Sequence, residues 1–420
     1  MVDDSRISGF YKLSIKERQK KLKELTGLTD EELASLFDPG KVDMEVLDHM
    51  IENVVGSMTL PLGIATNFQV NEQDYLVPMA IEEPSVVAAA SNAARMTRPH
   101  GGFFATDTGP VMIAQIQTTE VPAPFSAKVD ILLKKQELIE FANEQDPILV
   151  KFGGGAKDIR VRVIDSKIGP MLITELIVDT RDAMGANAVN TMAEALAPKI
   201  EKITGGKVLL RILSNLADLR LVHVRAVFDA KLLGGEEVVD GIIAAWAFAE
   251  ADPYRCATHN KGIMNGIDAV VVATGNDFRA IEAGAHSYAA QNGYSSLTKY
   301  EKDPDGNLVG SIEIPMAVGL VGGATKVHPV ARASVKILEV NTSVELAHVI
   351  AAVGLAQNAA ALRALAAEGI QKGHMALHAR NVASTAGARG EMIEIIAEKM
   401  IKEKMIKVER AKELLEELQK

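Results

Sequence analysis

Between residues 111 and 212 the chain alternates short β-branched runs with longer Ala-rich stretches, and this pattern constrains the fold more than any other feature. Val111–Thr118, Arg160–Ile164, Leu172–Val178 and Val208–Ile212 read as strands, while 130–143 and Met184–Ile203 read as helices, the second ended by Gly205-Gly206. That alternation predicts an α/β unit of about a hundred residues set inside a longer chain. Before it, residues 1–40 read as helices, with capping-box spacing at Ser14/Glu17 and Thr29/Glu32. Segment 78–97 reads as an Ala-rich helix opening at Glu82-Glu83-Pro84-Ser85, since proline suits a first helical turn. After it, residues 221–375 form long mixed segments, including an Ala-rich helix at 343–368. Past Gly387 and Gly390 the tail 391–420 is charged and amphipathic, apolar at Met392, Ile395, Ile396, Met400, Ile401 and Met405. It is either a surface helix packed on the body or a mobile lid hinged at the glycines.

At 420 residues, 48% hydrophobic but 4% aromatic, the chain is expected to be a packed α/β enzyme of two or three domains. A net charge of −10 without a basic block argues against nucleic acid as partner. Cys256 is the only cysteine, so no internal disulfide forms and a reducing compartment fits. The N-terminus lacks a signal-peptide pattern. No apolar run approaches the roughly 20 residues a membrane helix needs. The expectation is a soluble, cytoplasmic protein with no membrane partner.

Lys261 lies in Ala257-Thr258-His259-Asn260-Lys261-Gly262-Ile263-Met264-Asn265-Gly266-Ile267-Asp268, ahead of a strand-like run, Ala269–Gly275, and Asn276-Asp277. A buried ammonium beside a strand needs a partner, and Asp277 is the nearest candidate. Such a pair suits a site that stabilises an oxygen turning negative during reaction. The segment Val178–Thr191 follows a strand and opens a helix, where free N–H groups and the helix dipole hold phosphates. Gly185, Ala186 and Ala188 would let a ligand come close, although strand–turn–helix packing explains the composition equally well. No G-x-G-x-x-G occurs, so a dinucleotide site here is of non-Rossmann type. Gly153-Gly154-Gly155 and Gly319–Gly323 are tight turns first and possible cofactor contacts second. His374 and His378 stand one helical turn apart, which suits an acid or a polar helix face better than a metal. Glu82 and Glu83 either suit a helix N-terminus or include a buried carboxyl able to donate a proton. Cys256 reads as a small core residue.

Together these segments resemble 3-hydroxy-3-methylglutaryl-coenzyme A (HMG-CoA) reductase over nearly the whole chain. The resemblance is carried in order by Glu52–Gly56, Glu82–Ser85, Asp182–Asn187, Thr258–Gly262, Gly275–Asp277 and His374–Asn381. It points to the soluble class II type of bacteria and archaea. It implies an α/β (α+β) fold with a large, mostly helical substrate domain (1–109 and 220–378). An inserted small α/β cofactor domain (110–219) and a C-terminal helical flap (379–420) complete the implied architecture. The implied chemistry converts HMG-CoA to mevalonate and CoA by two hydride transfers. Glu83, Lys261, Asp277 and His378 match the catalytic residues, and Ser85, Arg255 and Asn265 match positions that hold the HMG carboxylate and hydroxyl. Asp182, Met184, Gly185, Ala186 and Asn187 match the cofactor turn, and Asn215 the nicotinamide end. Asp146 falls where an acidic side chain accepts from the adenosine ribose, which favours NADH and leaves NADPH possible, because a carboxylate repels a 2′-phosphate. Lys151 and Arg181, nearby in sequence, would soften that discrimination. Lys12 stands where some relatives carry an arginine near the CoA phosphates. The resemblance also implies a homodimer or higher homo-oligomer with sites at subunit interfaces. Two other readings use some of these residues: a non-redox acyl-CoA hydrolase or transferase, and a non-catalytic CoA- or nucleotide-binding protein.

Overall fold

The computed structural model describes residues 4–37, 43–367, 379–403 and 405–419. Helices α1 (Ile15–Leu25) and α2 (Asp30–Phe37) form as their caps predict. Ser14 and Glu17 close a complete capping box, and Thr29 and Glu32 exchange the same pair of bonds. A short α3 (Met44–Asp48) leads into the first sheet, built from β1 (Leu62–Val70), β2 (Gln73–Ala80) and β3 (Phe103–Asp107) with strands from the far side of the chain. Residues 78–80, expected to be helical, are the end of β2, paired antiparallel as Ile64↔Pro78 and Leu62↔Ala80. Pro78 is tolerated because β2 is an edge strand and needs no ladder donor there. The helix α4 therefore starts later than its composition suggests and spans Val86–Thr97.

The second sheet lies wholly between Val111 and Leu213, in the order β5 (Gly155–Ile164), β6 (Met171–Asp179), β4 (Val111–Thr119), β7 (Lys207–Leu213). All its pairings are antiparallel, which separates it from parallel dinucleotide-binding sheets. The expected helix at 130–143 is two helices, α5 (Pro124–Leu133) and α6 (Lys135–Asn143), broken at Lys134. After α7 (Pro147–Lys151), α8 (Ala186–Thr204) lies against β4 and β7 and buries Val189, Met192, Leu196 and Ile200.

Strand β8 (Leu221–Phe228) returns to the first sheet, whose order is β2-β1-β3-β8-β10-β9, with β9 at Thr298–Lys302 and β10 at Leu308–Pro315. Helices α9 (Ala230–Leu233), α10 (Glu236–Ala251), α11 (Pro253–Ala273) and α12 (Phe278–Ala289) lie between β8 and β9. After β10 come α13 (Gly323–Val327), α14 (Pro329–Leu338) and α15 (Ser343–Ala367). Leu346, Val349, Ile350, Val353, Leu355 and Leu362 of α15 are fully buried against the sheet, α4, α10 and α11. Each such side chain stabilises the core by about 1.5–3 kcal/mol. The segment Ser343–Ala366 is long and apolar enough to cross a membrane, contrary to the sequence expectation, but 67% of its apolar window is buried inside the protein. It is a central core helix. The tail forms helices 391–402 and 408–419, whose Ile396, Met400, Ala411 and Leu414 make an apolar cluster of their own.

Candidate active site

The site is organised by α11. Asp252 caps its start, accepting from Arg255 N at 2.7 Å, and the helix runs unbroken through Lys261 to Ala273. The run 269–273, expected to be a strand, is therefore the last turns of this helix. An apolar run of that length is ambiguous by itself, and here Ile263, Met264, Ile267, Val270 and Val271 continue one helical period into the core. His259 and Asn260 also face inward. The His259 ring sits between Ser296 and Thr298 hydroxyls (2.7 and 2.9 Å), and burial pushes its pKa down to about 4, so it is neutral. Asn260 Nδ2 donates to Ser295 O at 2.9 Å. Cys256 is buried, and desolvation raises its thiol to about 11, which rules out a resting thiolate near neutral pH.

Lys261 takes the opposite face, with Asn265, Asp268 and Val272 following at i+4, i+7 and i+11. Its Nζ donates to Glu83 Oε2 at 3.0 Å, and Asn265 Nδ2 donates to the same oxygen at 3.2 Å. Glu83 arrives from the turn after β2, just before Ser85, which holds a left-handed φ of 76° at the head of α4. Two expectations are corrected here. Lys261 is not a buried cation, since 61% of its side chain is exposed, and its partner within the chain is Glu83 rather than Asp277. Glu83 itself is 34% exposed in the single chain. A pair this wet contributes at most about 1 kcal/mol to folding, so stability does not account for it. Arg255 lies about 9 Å before Lys261 along the same helix axis.

Asp277 stands at the other end of α11. Its carboxylate caps α12, accepting from Arg279 N at 3.0 Å and Ala280 N at 3.3 Å, and pairs with the Arg279 side chain. These contacts hold its carboxyl below the ordinary value against the opposing effect of partial burial. The twelve steps from Lys261 to Ala273 rise about 18 Å along α11, and Asp277 follows beyond that end; the ion pairs formed are Lys261 with Glu83 and Asp277 with Arg279. Asn276, next to Asp277, accepts from Gly319 N at 2.8 Å through Oδ1.

Gly319 in turn lies against the cofactor-turn candidates, where a Cβ on it would come within 2.4 Å of Met184 N. Leu320 N donates to Asp182 O at 2.8 Å, and Asp182 Oδ1 accepts from Ser343 N at 2.8 Å. Gly185, with φ of 101°, begins α8, and a Cβ there would strike Thr180. The backbone of Met184, Gly185, Ala186 and Asn187 thus leads straight into the N-terminus of a nineteen-residue helix. This fits an anionic diphosphate without any glycine fingerprint. Asn215 lies on the loop between β7 and β8. Asp146 caps α7, with Oδ1 accepting from Leu149 N at 2.9 Å. Arg181 donates to Gly153 O at 2.6 Å, drawing the Gly153–Gly155 turn to the same region. His374 and His378 lie outside the described residues. Among the described residues, no group of three His, Cys, Asp or Glu side chains could hold a metal.

Two features escaped the sequence reading. Arg220, in Leu219-Arg220-Leu221-Val222, is buried behind the cofactor turn, and only its isolation among apolar residues marks it. Asp268 is half-buried on the Lys261 face and packs against Glu282 of α12, in a carboxyl pair that its helix spacing alone does not reveal.

The family model for hydroxymethylglutaryl-coenzyme A reductase matches residues 14–379. A 3-hydroxy-3-methylglutaryl-coenzyme A reductase of Archaeoglobus fulgidus is 64% identical over 414 residues, covering 99% of this chain and 95% of the relative. A probable 3-hydroxy-3-methylglutaryl-coenzyme A reductase of Borreliella burgdorferi is 37% identical over 89% of this chain and 85% of its own. Among solved structures, the Streptococcus pneumoniae reductase superposes with a TM-score of 0.84 at 42% identity, covering 98% of this chain and 99% of that one. The class II enzyme of the same organism bound to NADPH in open conformations gives 0.83 at 44% identity, over 85% of this chain and 99% of its own.

Proposed function

The chain belongs to the hydroxymethylglutaryl-coenzyme A reductase family, of the class II type, and from that premise we propose how its residues carry the reaction. It is an oxidoreductase that interconverts HMG-CoA with mevalonate and CoA by two successive hydride transfers. Two equivalents of a reduced nicotinamide cofactor, bound one after the other, would supply one hydride each. When the thioester carbonyl is reduced its oxygen becomes an alkoxide, and the Lys261 ammonium places a full charge beside it. Lys261 and Asn265 together fix one oxygen of the Glu83 side chain. Glu83 in its protonated, carboxylic acid form would hand a proton to the second carbonyl as it is reduced, leaving the carboxylate that pairs with Lys261. Expulsion of CoA between the two steps leaves a thiolate, and His378 is its proton donor. Ser85 and Arg255 hold the HMG carboxylate, for which a guanidinium fork is suited. The turn Asp182–Asn187 and the α8 N-terminus hold the diphosphate, with Asn215 at the nicotinamide end. Asp146, a carboxylate at the adenosine ribose, favours NADH over NADPH.

One observation carries the rest: Lys261 pairs with Glu83 in the first half of α11, whereas Asp277 lies beyond the helix's C-terminal end and pairs with Arg279, though the reaction as proposed uses both at one oxygen. A second copy meets this need if Asp277 of the partner subunit reaches Lys261, so the working form is a homodimer or a larger homo-oligomer built from such dimers. The exposed apolar segment after α3, where Val55 is 99% and Met58 88% exposed, supports the same reading. The test is to mix Lys261→Ala and Asp277→Ala proteins under subunit exchange. Random pairing restores about a quarter of wild-type HMG-CoA-dependent NADH oxidation if each site takes one residue from each chain. No recovery in verified mixed dimers means that both residues serve a site from the same chain. His378→Ala should impair HMG-CoA reduction far more than reduction of free mevaldehyde, because only the former releases a thiolate. Equal losses remove that assignment.

A further inference from the structure

Arg220 is the one buried lysine or arginine among the described residues, 4% exposed. Its guanidinium bonds to five oxygens from separate parts of the chain. Nη1 donates to Thr180 Oγ1 at 3.1 Å, Ala183 O at 3.2 Å and Met184 O at 3.3 Å. Nη2 donates to Val318 O at 2.6 Å and Ser343 Oγ at 3.3 Å. Burial lowers its pKa to about 10, opposed by the charges of Asp179, Asp182 and Asp107, so it remains a cation at neutral pH. A buried charge costs folding energy unless its partners repay it, and here most of those partners are backbone carbonyls of the cofactor turn and its neighbouring loop.

We propose that Arg220 is a positioning residue for the cofactor's diphosphate, acting from behind the turn without touching the cofactor. In a planar trans peptide the C=O of one residue and the N–H of the next point in opposite directions. Because Met184 O is bound to Arg220, Gly185 N–H is directed away from it, toward the side on which α8 opens. The same bonds keep the Ala183 and Met184 carbonyls from facing an anion and leave a fixed positive charge beneath it. Through Val318 and Ser343, Arg220 also ties the turn to α15 and to the loop that Asn276 grips beside Asp277. The hydride donor and Asp277 are thereby held in one frame.

This inference rests on the reading of Asp182–Asn187 as the cofactor turn, and its test separates the two. Binding of NAD+ and ADP-ribose is measured by calorimetry for wild type, Arg220→Met, Arg220→Lys and Ser343→Ala, beside the KM for HMG-CoA. Arg220→Met should weaken ADP-ribose and NAD+ by about tenfold or more, with the HMG-CoA KM within about twofold of wild type. Arg220→Lys, which keeps the charge but loses the fork, should fall between. Ser343→Ala removes only the hydroxyl that accepts from Arg220 and donates to Arg181 O at 3.0 Å. It should weaken dinucleotide by about threefold in a protein of near wild-type Tm. If Arg220→Met does not fold, Ser343→Ala decides. Wild-type protein that binds no ADP-ribose or NAD+ overturns the cofactor-turn reading and this inference with it. Wild-type binding matched by the folded variants, or a rise in both substrates' constants alike, overturns this inference alone.

Discussion

The two ends of α11 hold the same kinds of residue in opposite circumstances. At the N-terminal half Lys261 reaches across to Glu83, on a segment that sequence places 178 residues away, and the pair stands open to solvent. At the C-terminal end Asp277 is engaged locally, as the cap of the next helix, and its neighbour Asn276 is bonded to the loop beneath the cofactor turn. On the proposed reading the first end meets the substrate and the second lies toward the cofactor. From Lys261 the helix runs about 18 Å before it ends ahead of Asp277, and in the proposed dimer each chain would therefore contribute two half-sites.

Changes at the two ends should therefore differ in kind. Lys261→Ala should lower kcat by about 10²–10³ with little effect on stability, since it removes charge at the developing oxyanion and only a wet ion pair from the fold. A loss under about tenfold would break the assignment of that end. Asp277→Asn should lower kcat by about tenfold or more while leaving Tm in place, because asparagine caps α12 as well as aspartate does. Asp277→Ala should add about 1 kcal/mol of destabilisation from the lost cap, readable by denaturant unfolding. If Asn and Ala lose stability equally, the capping account of that end is wrong.

Between the ends, Asp268 tests the stripe that joins them. Desolvation, then the hydrogen bond and charge of Glu282, raise its carboxyl from 3.8 to about 8, while Glu282 is lowered by its bond to His286. A carboxyl raised on folding contributes stability that is complete below its unfolded value and is lost as pH climbs through the folded one. Buried His259, lowered from 6.5 to about 4, acts in the opposite sense and offsets Asp268 below pH 6.5. Wild-type Tm should therefore decline between about pH 6.5 and pH 8, and Asp268→Asn should flatten that decline. An unchanged profile would show that the pair does not hold its proton. At the cofactor side, Asp146→Asn keeps the α7 cap yet removes the charge. It should raise the ratio of NADPH to NADH use by about tenfold or less, and a fixed ratio removes the basis for an NADH preference. Cys256→Ala should change kcat by less than about twofold.

Much of the small antiparallel sheet was legible because its strands alternate with helices at regular intervals and end on glycine turns. Val111–Thr119, Met171–Asp179 and Lys207–Leu213 fall within a residue or so of their sequence reading. The strand read at Arg160–Ile164 begins five residues earlier, at Gly155, and the helix read at 130–143 breaks at Lys134. Two further failures share one cause. At 269–273 and at 78–80 an apolar run is compatible with strand and helix alike, and tertiary packing decides: α15 and the core draw the first into a helix, and pairing with β1 draws the second into a strand. The residue types at the site were legible as motifs, but their partners were not. Spacing suggested Asp277 for Lys261 because sequence proximity is visible and the return of Glu83 from the edge of another sheet is not. Arg220 was silent, since a lone arginine between leucines has no motif, only a destination.

The unbroken run of α11 makes its length a quantity in its own right. A helix advances about 100° and 1.5 Å per residue, so one residue inserted between Asn265 and Thr274 would leave both ends locally intact and rotate them out of phase. Glu83 would still find Lys261, and Asn276 would still hold its loop. The two half-sites would nevertheless aim in different directions, so the spacing acts as a gauge block, with a tolerance smaller than one residue.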